Sequence, residues 1–146
     1  MNNLIEISLR IAIKAHSNQK DKAGEEYILH PLRIMAKMDT TEEKCVALLH
    51  DVIEDSNYTE EDLLLKGIPK KVVNAVVHLS RKPDESYSIF INRVLTNTLA
   101  SKVKRADLED NLNTLRLKTL SKDDLNRIKK YHSAWKKINN SGVCNG

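Results

Sequence analysis

Apolar residues recur along this chain at three- and four-residue intervals, not in alternation. Leu4, Ile5, Leu9, Ile11, Ala12 and Ala15 fall on one side of a 3.6-residue spiral, which predicts a first helix over 3–18. The stretch NQKDKAGEEY, 18–27, is polar around a central glycine and predicts a loop. Pro31 suits a first helical turn, so a second helix is expected to open there. TTEE at 40–43 has the spacing of a capping box, Thr40 over Glu43. The apolar run Val46, Ala47, Leu48, Leu49, Val52 and Ile53 then predicts a core-facing helix that carries ALLHDVIED, 47–55. TEED at 59–62 resembles a second box, and Gly67 and Pro69 mark the next boundary. Further helices are expected near 70–80, 86–96, 99–118 and 122–139, the last capped by SKDD at 121–124. No stretch reads as a convincing strand. The pattern predicts a single all-α domain, 1–138, a compact bundle of seven or eight helices with any site between facing helices, followed by a flexible tail, 139–146.

Composition narrows the function classes. Charged residues make up 30% of 146, which is globular, and the net charge of +4 suits an anionic small molecule. Aromatics reach only 4%, too few to interleave with basic residues as a single-strand nucleic-acid binder requires, so no nucleic-acid partner is expected. No apolar run has the length of a membrane span and the start MNNLIEISLR is not a secretory signal, so neither a membrane nor export is expected. Cys45 in an apolar run and Cys144 in the tail read as free thiols. A reducing cytoplasm is the expected location. Oligomeric state is left open.

ALLHDVIED then raises a chemical question. On a continuous helix Glu54 lies four residues after His50 and three after Asp51, while Asp55 lies four after Asp51, so these side chains crowd one side. Carboxylates pressed against a core are costly unless paired. A divalent cation relieves that crowding. One helix cannot complete a coordination sphere. His30, just before Pro31, and Asp107, among Val103, Ala106, Leu108 and Leu112, are the candidates to complete it. His30, His50, Asp51 and Asp107 make a mixed nitrogen and oxygen set suited to Mn²⁺, Fe²⁺, Zn²⁺ or Co²⁺. Glu54 and Asp55 are candidates to orient a water or take its proton. Lys22, Lys104 and Arg105 are candidate counter-charges for phosphate, with Lys104 three residues before Asp107 on the same helical side.

Three segments, AHSNQKDKAGEEYILHPLRIM, VALLHDVIEDSNYT and VKRADLEDNLNT, resemble in order the hydrolase domain of the bifunctional alarmone synthetase/hydrolases and the small alarmone hydrolases, which are HD-domain metal-dependent phosphohydrolases. The resemblance spans about 8–118. It implies an all-helical fold and one divalent cation, usually Mn²⁺, on His30, His50, Asp51 and Asp107. It implies that Glu54 and Asp55 are the paired catalytic acids, Lys22 a basic residue of the substrate loop, and Asn111 and Thr114 lining for the nucleotide sugar. The implied reaction is removal of the 3′-pyrophosphate of ppGpp, releasing GDP and pyrophosphate. The chain departs from the family in two places. Where the family commonly reads Arg-Lys-Ser-Gly, this chain has Asp21-Lys22-Ala23-Gly24. Where it commonly reads Arg-Leu-His-Asn after the last ligand, this chain has Leu108-Glu109-Asp110-Asn111. An acid at 21 in place of a base-contacting Arg leaves two other readings open: hydrolysis of another nucleotide, adenine analogues included, and a nucleotide-binding module without turnover.

Overall fold

A computed structural model describes residues 3–144. The chain forms α1 (Leu4–Ala15), α2 (Leu29–Ala36), α3 (Thr41–Leu49), α4 (Val52–Asp55), α5 (Glu60–Leu65), α6 (Lys70–His78), α7 (Tyr87–Val94), α8 (Thr98–Asn111) and α9 (Lys122–Asn140), with a 3₁₀ turn at Thr114–Arg116. There is no strand among the described residues; an isolated bridge between Lys20 and Glu26 closes the base of the loop after α1. The all-α expectation holds.

Helix α3 is the centre of the bundle. Cys45, Val46, Ala47, Leu48 and Leu49 are each fully buried, so the helix is enclosed on every side by its end. It packs on α1, α2, α6 and α8. All three expected capping boxes form: Thr40 with Glu43, Thr59 with Asp62 and Ser121 with Asp124. Gly67, at φ 90°, supplies the left-handed residue that ends α5.

Several expected boundaries move, each for a local reason. Helix α1 stops at Ala15, and Asn18 takes φ 65°, so the helix cannot reach 18. Helix α2 begins at Leu29, which places His30 and Pro31 inside its first turn; a proline is accepted there because its missing N–H would have no intrahelical partner. The expected continuous helix through ALLHDVIED breaks: α3 ends at Leu49, Asp51 sits at φ −104° and ψ 0°, and α4 is a separate short helix. Helix α8 ends at Asn111 and not 118, because Asn113 leaves the helical region at ψ 88°. Helix α9 continues to Asn140 with Ile138 fully buried, and Cys144 packs against the core; Asn145 and Gly146 lie outside the described residues. No helix among the described residues is long and apolar enough to cross a membrane.

Candidate metal centre and nucleotide cleft

The break after Leu49 builds the centre. The Ala47 carbonyl, near the end of α3, accepts a hydrogen bond from His50 Nδ1 at 2.6 Å. That bond fixes the His50 tautomer and turns Nε2 inward. His50 Nε2 is buried and makes no hydrogen bond. It lies 2.9 Å from Asp51 Oδ2 and 3.5 Å from Asp107 Oδ1. His30, from the first turn of α2, brings Nε2 to 2.9 Å from Asp107 Oδ1 and 3.9 Å from Asp51 Oδ2. All four residues singled out in the sequence as ligands therefore converge, from α2, the α3–α4 break and α8. His30, His50 and Asp107 form the tightest group. A buried ring nitrogen without a partner, facing carboxylates that carry no hydrogen to give it, fits a divalent cation better than a hydrogen-bonded core.

The electrostatics agree. Burial pushes the His50 pKa down, but Asp51 and Asp107 more than offset it and hold the ring well above its ordinary range. Burial likewise pushes Asp107 up, and Lys104, His30 and His50 overcome it, so Asp107 stays ionised. Without a cation, protons hold this cluster together; a cation can displace them.

Glu54 and Asp55, one turn beyond, open onto the cleft. Glu54 Oε1 accepts the Arg81 backbone N–H at 3.1 Å. Asp55 is fixed through its backbone: its N–H donates to the Asp51 carbonyl at 2.9 Å and its own carbonyl accepts from Gln19 Nε2 at 3.0 Å. Burial and then the Asp51 charge raise Asp55 to about 6, and the same two causes raise Glu54.

A cleft of about 520 Å³ runs over this group. Lys22 lies exposed on its rim, and Thr114, in the 3₁₀ turn, lines it. Lys104 reaches Asp107 Oδ2 with Nζ at 2.9 Å and lies over the Phe90 ring at 5.3 Å, so it is a neighbour of the metal cluster as well as a cleft residue. Its sequence neighbour Arg105 points away, toward Asn139, with Nη1 to Oδ1 at 3.3 Å. Asn111, expected along a sugar, donates its amide to Asp107 Oδ1 at 3.2 Å and so braces a candidate ligand. Asp21 Oδ1 accepts the N–H groups of Ala23 and Glu25, both at 2.9 Å, so that oxygen is turned into its own loop.

Further contributors were not visible in the pattern of the sequence. The Tyr27 hydroxyl donates to Asp51 Oδ2. Burial and the Asp51 charge keep that hydroxyl protonated. Asp110 meets His30 Nδ1, and Arg33 meets Asp110. Tyr131 lines the cleft together with Arg127 and Lys130. Only the wider helical position of Asp110, three after Asp107, could have suggested one of these contacts.

No family model matches the chain. It is 36% identical over 88 residues to a probable guanosine-3′,5′-bis(diphosphate) 3′-pyrophosphohydrolase of Mycoplasma pneumoniae, covering 57% of this chain and 12% of that protein. It is 30% identical over 125 residues to the guanosine-3′,5′-bis(diphosphate) 3′-pyrophosphohydrolase of Aquifex aeolicus, covering 76% of this chain and 18% of that protein. The chain thus matches less than a fifth of the length of either relative. Among solved structures, one described as a metazoan ortholog of SpoT that hydrolyses ppGpp and plays a role in starvation responses shares the fold, with TM-score 0.75, 19% identity, and coverage of 94% of this chain and 86% of that one. Ordered motifs and these relatives liken the chain to an HD-type alarmone-hydrolase domain, and the solved structure shares its fold.

Proposed function

We propose that this chain is a metal-dependent pyrophosphohydrolase that removes the 3′-pyrophosphate of a guanosine polyphosphate such as ppGpp, giving GDP and pyrophosphate. The observation that carries the reading is the convergence of His30, His50, Asp51 and Asp107 beneath Glu54 and Asp55, at the floor of a cleft with a basic rim. The cation we assign is Mn²⁺, in keeping with the family, and the location the cytoplasm. When bound, a divalent cation supplies Lewis acidity and lowers the pKa of water.

The chain's own residues do the rest. A water oxygen bonds to the phosphorus attached to the 3′ oxygen, and the bond from that phosphorus to the 3′ oxygen breaks. Asp55, raised to about 6 by burial and Asp51, can accept the water's proton. Glu54, held by the Arg81 N–H, sits beside it as a second carrier to return a proton to the leaving 3′ oxygen. Lys104, kept protonated because Asp107 more than offsets its burial, and Lys22 on the rim counter phosphate charge. Thr114 and Asn111 line the same cleft.

The test is release of pyrophosphate by the purified chain with Mn²⁺, across ppGpp, 3′-pyrophosphorylated adenosine nucleotides and simple phosphoesters. ppGpp turnover that stops with EDTA, and is lost together with Mn²⁺ binding in His50→Ala and Asp51→Ala, is the expected result. A second reading, another nucleotide as substrate, draws on the inward turn of Asp21, which leaves position 21 without a base contact from that oxygen. Turnover of the adenosine forms alone would favour it. Nucleotide binding without turnover of any form would leave a binding module.

A further inference from the structure

Resting on the metal-site reading, we infer that Asp110 is the positioning residue of the centre: it orients His30 as a ligand, and with it sets the affinity of the site for its cation. Asp110 is 5% exposed, and its Oδ2 lies 2.6 Å from His30 Nδ1. The opposite ring nitrogen, His30 Nε2, faces Asp107 and Asp51. A carboxylate on one imidazole nitrogen fixes the ring's rotation and its tautomer, holds the proton on Nδ1, and makes Nε2 the stronger donor. Asp107 and Asp110 lie three apart on α8, on one side of the helix, so a single helix presents both a candidate ligand and the brace of another.

The carboxylate is itself held. Arg33 grips it in a fork, Nε to Oδ1 at 2.8 Å and Nη2 to Oδ2 at 2.9 Å. Arg116 adds Nη1 to Oδ1 at 3.4 Å and Nη2 to the Asp110 backbone carbonyl at 3.3 Å. A bidentate guanidinium restricts a carboxylate more than a single bond does. Arg33 and Arg116 thus anchor Asp110 in the fold, and it is the Asp110–His30 contact that reaches the metal centre.

The experiment measures Mn²⁺ alone, without nucleotide, by titration calorimetry on the purified full chain. Asp110→Ala is expected to weaken Mn²⁺ binding by about 10- to 100-fold, and the isosteric Asp110→Asn by about tenfold. Arg33→Met removes the fork but leaves Asp110 on His30. It is expected to lower Tm while leaving the Mn²⁺ Kd within about threefold of wild type. A role confined to stability would instead weaken Mn²⁺ in step with Tm in both variants, and that result overturns the inference. So does Mn²⁺ affinity in Asp110→Asn equal to wild type. If Asp110→Ala does not fold, Asp110→Asn decides. Absence of Mn²⁺ binding by the wild-type chain would overturn the metal reading and this inference with it, whereas wild-type binding with unchanged variants overturns the inference alone.

Discussion

Glu54 and Asp55 show how much of the chemistry rests on single side chains. Neither carboxylate hydrogen-bonds a candidate ligand side chain; that of Glu54 accepts the Arg81 N–H, and Asp55 is anchored through its own backbone N–H and carbonyl. Glu54→Gln and Asp55→Asn should therefore fold and bind Mn²⁺ as wild type does, while turnover falls by about 10²- to 10⁴-fold, the range for general acid–base help. Steady-state kcat beside calorimetric Mn²⁺ binding checks this; wild-type kcat in both variants would remove the two acids from the mechanism. Asp21 acts within its own loop. Its Oδ1 organises residues 21–25, with Gly24 at φ 84° completing the turn. Asp21→Asn keeps an acceptor oxygen and should leave the nucleotide KM within about twofold. Asp21→Ala removes two hydrogen bonds worth about 0.5–1.5 kcal/mol each, so its KM should rise clearly above that of Asp21→Asn. Equal KM values in the two variants would show that the loop does not depend on that oxygen.

At the scale of elements, the segment between α6 and α7 matters most, because it delivers the Arg81 N–H to Glu54. One side chain holds that segment in place. Arg93, on α7, pairs Nε and Nη2 with the two oxygens of Glu85 at 2.8 and 2.9 Å and donates to the carbonyls of Val77, His78 and Ser80. The guanidinium thus closes the C-terminal end of α6 onto the loop that follows it. Arg93→Met keeps the length of the side chain and removes every one of these bonds. Its expected effect is a loss of kcat of about 10²-fold or less, the scale of a catalytic group displaced by about an ångström, with Mn²⁺ affinity unchanged. A variant that loses metal as readily as activity would place Arg93 in general stability instead. The break between α3 and α4 is the other decisive element. It lets two adjacent residues, His50 and Asp51, reach one point, where a continuous helix would separate them by about 100°.

For the molecule as a whole, the metal centre makes stability depend on both pH and cation. In the metal-free protein His30 and His50 are held above their ordinary range. Asp51 is held down at about 2, with Asp107 and Asp110 also depressed. The histidines contribute fully below their unfolded value near 6.5, and that contribution is lost as pH rises through their folded values. The depressed carboxylates contribute fully above about 4 and lose it as pH falls through theirs. Asp55, at about 6 against an unfolded value near 3.9, lowers stability between those two pH values and adds no slope above about 6. Metal-free protein should therefore have its highest Tm between about pH 4 and 6.5 and weaken toward pH 8. Mn²⁺ at about 100 times its Kd should add about 2.7 kcal/mol and flatten that decline, because the cation takes the place of the protons. Thermal melts in EDTA and in Mn²⁺ across this range read it directly; a metal-free Tm that rises from pH 6.5 to 8 would contradict the arrangement.

What the sequence determined by itself was periodic and local. Helical class, the three capping boxes and the enclosed run Cys45–Leu49 follow from spacings of three and four residues and from short-range hydrogen bonds. The candidate ligand types were legible too, because an acid cluster against an apolar run has few other partners, and the ordered motifs supplied His30 and Asp107. Tertiary structure decided the rest. Asp110 meets His30 across 80 positions, Tyr27 meets Asp51 across 24, and Gln19 meets Asp55 across 36. No periodicity encodes such pairs, since they depend on how α2, α3 and α8 pack. The break at His50 and Asp51 escapes the sequence for a related reason. Residues 47–55 have helical spacing throughout, and it is the surrounding packing and the inward turn of two polar side chains that end α3 at Leu49.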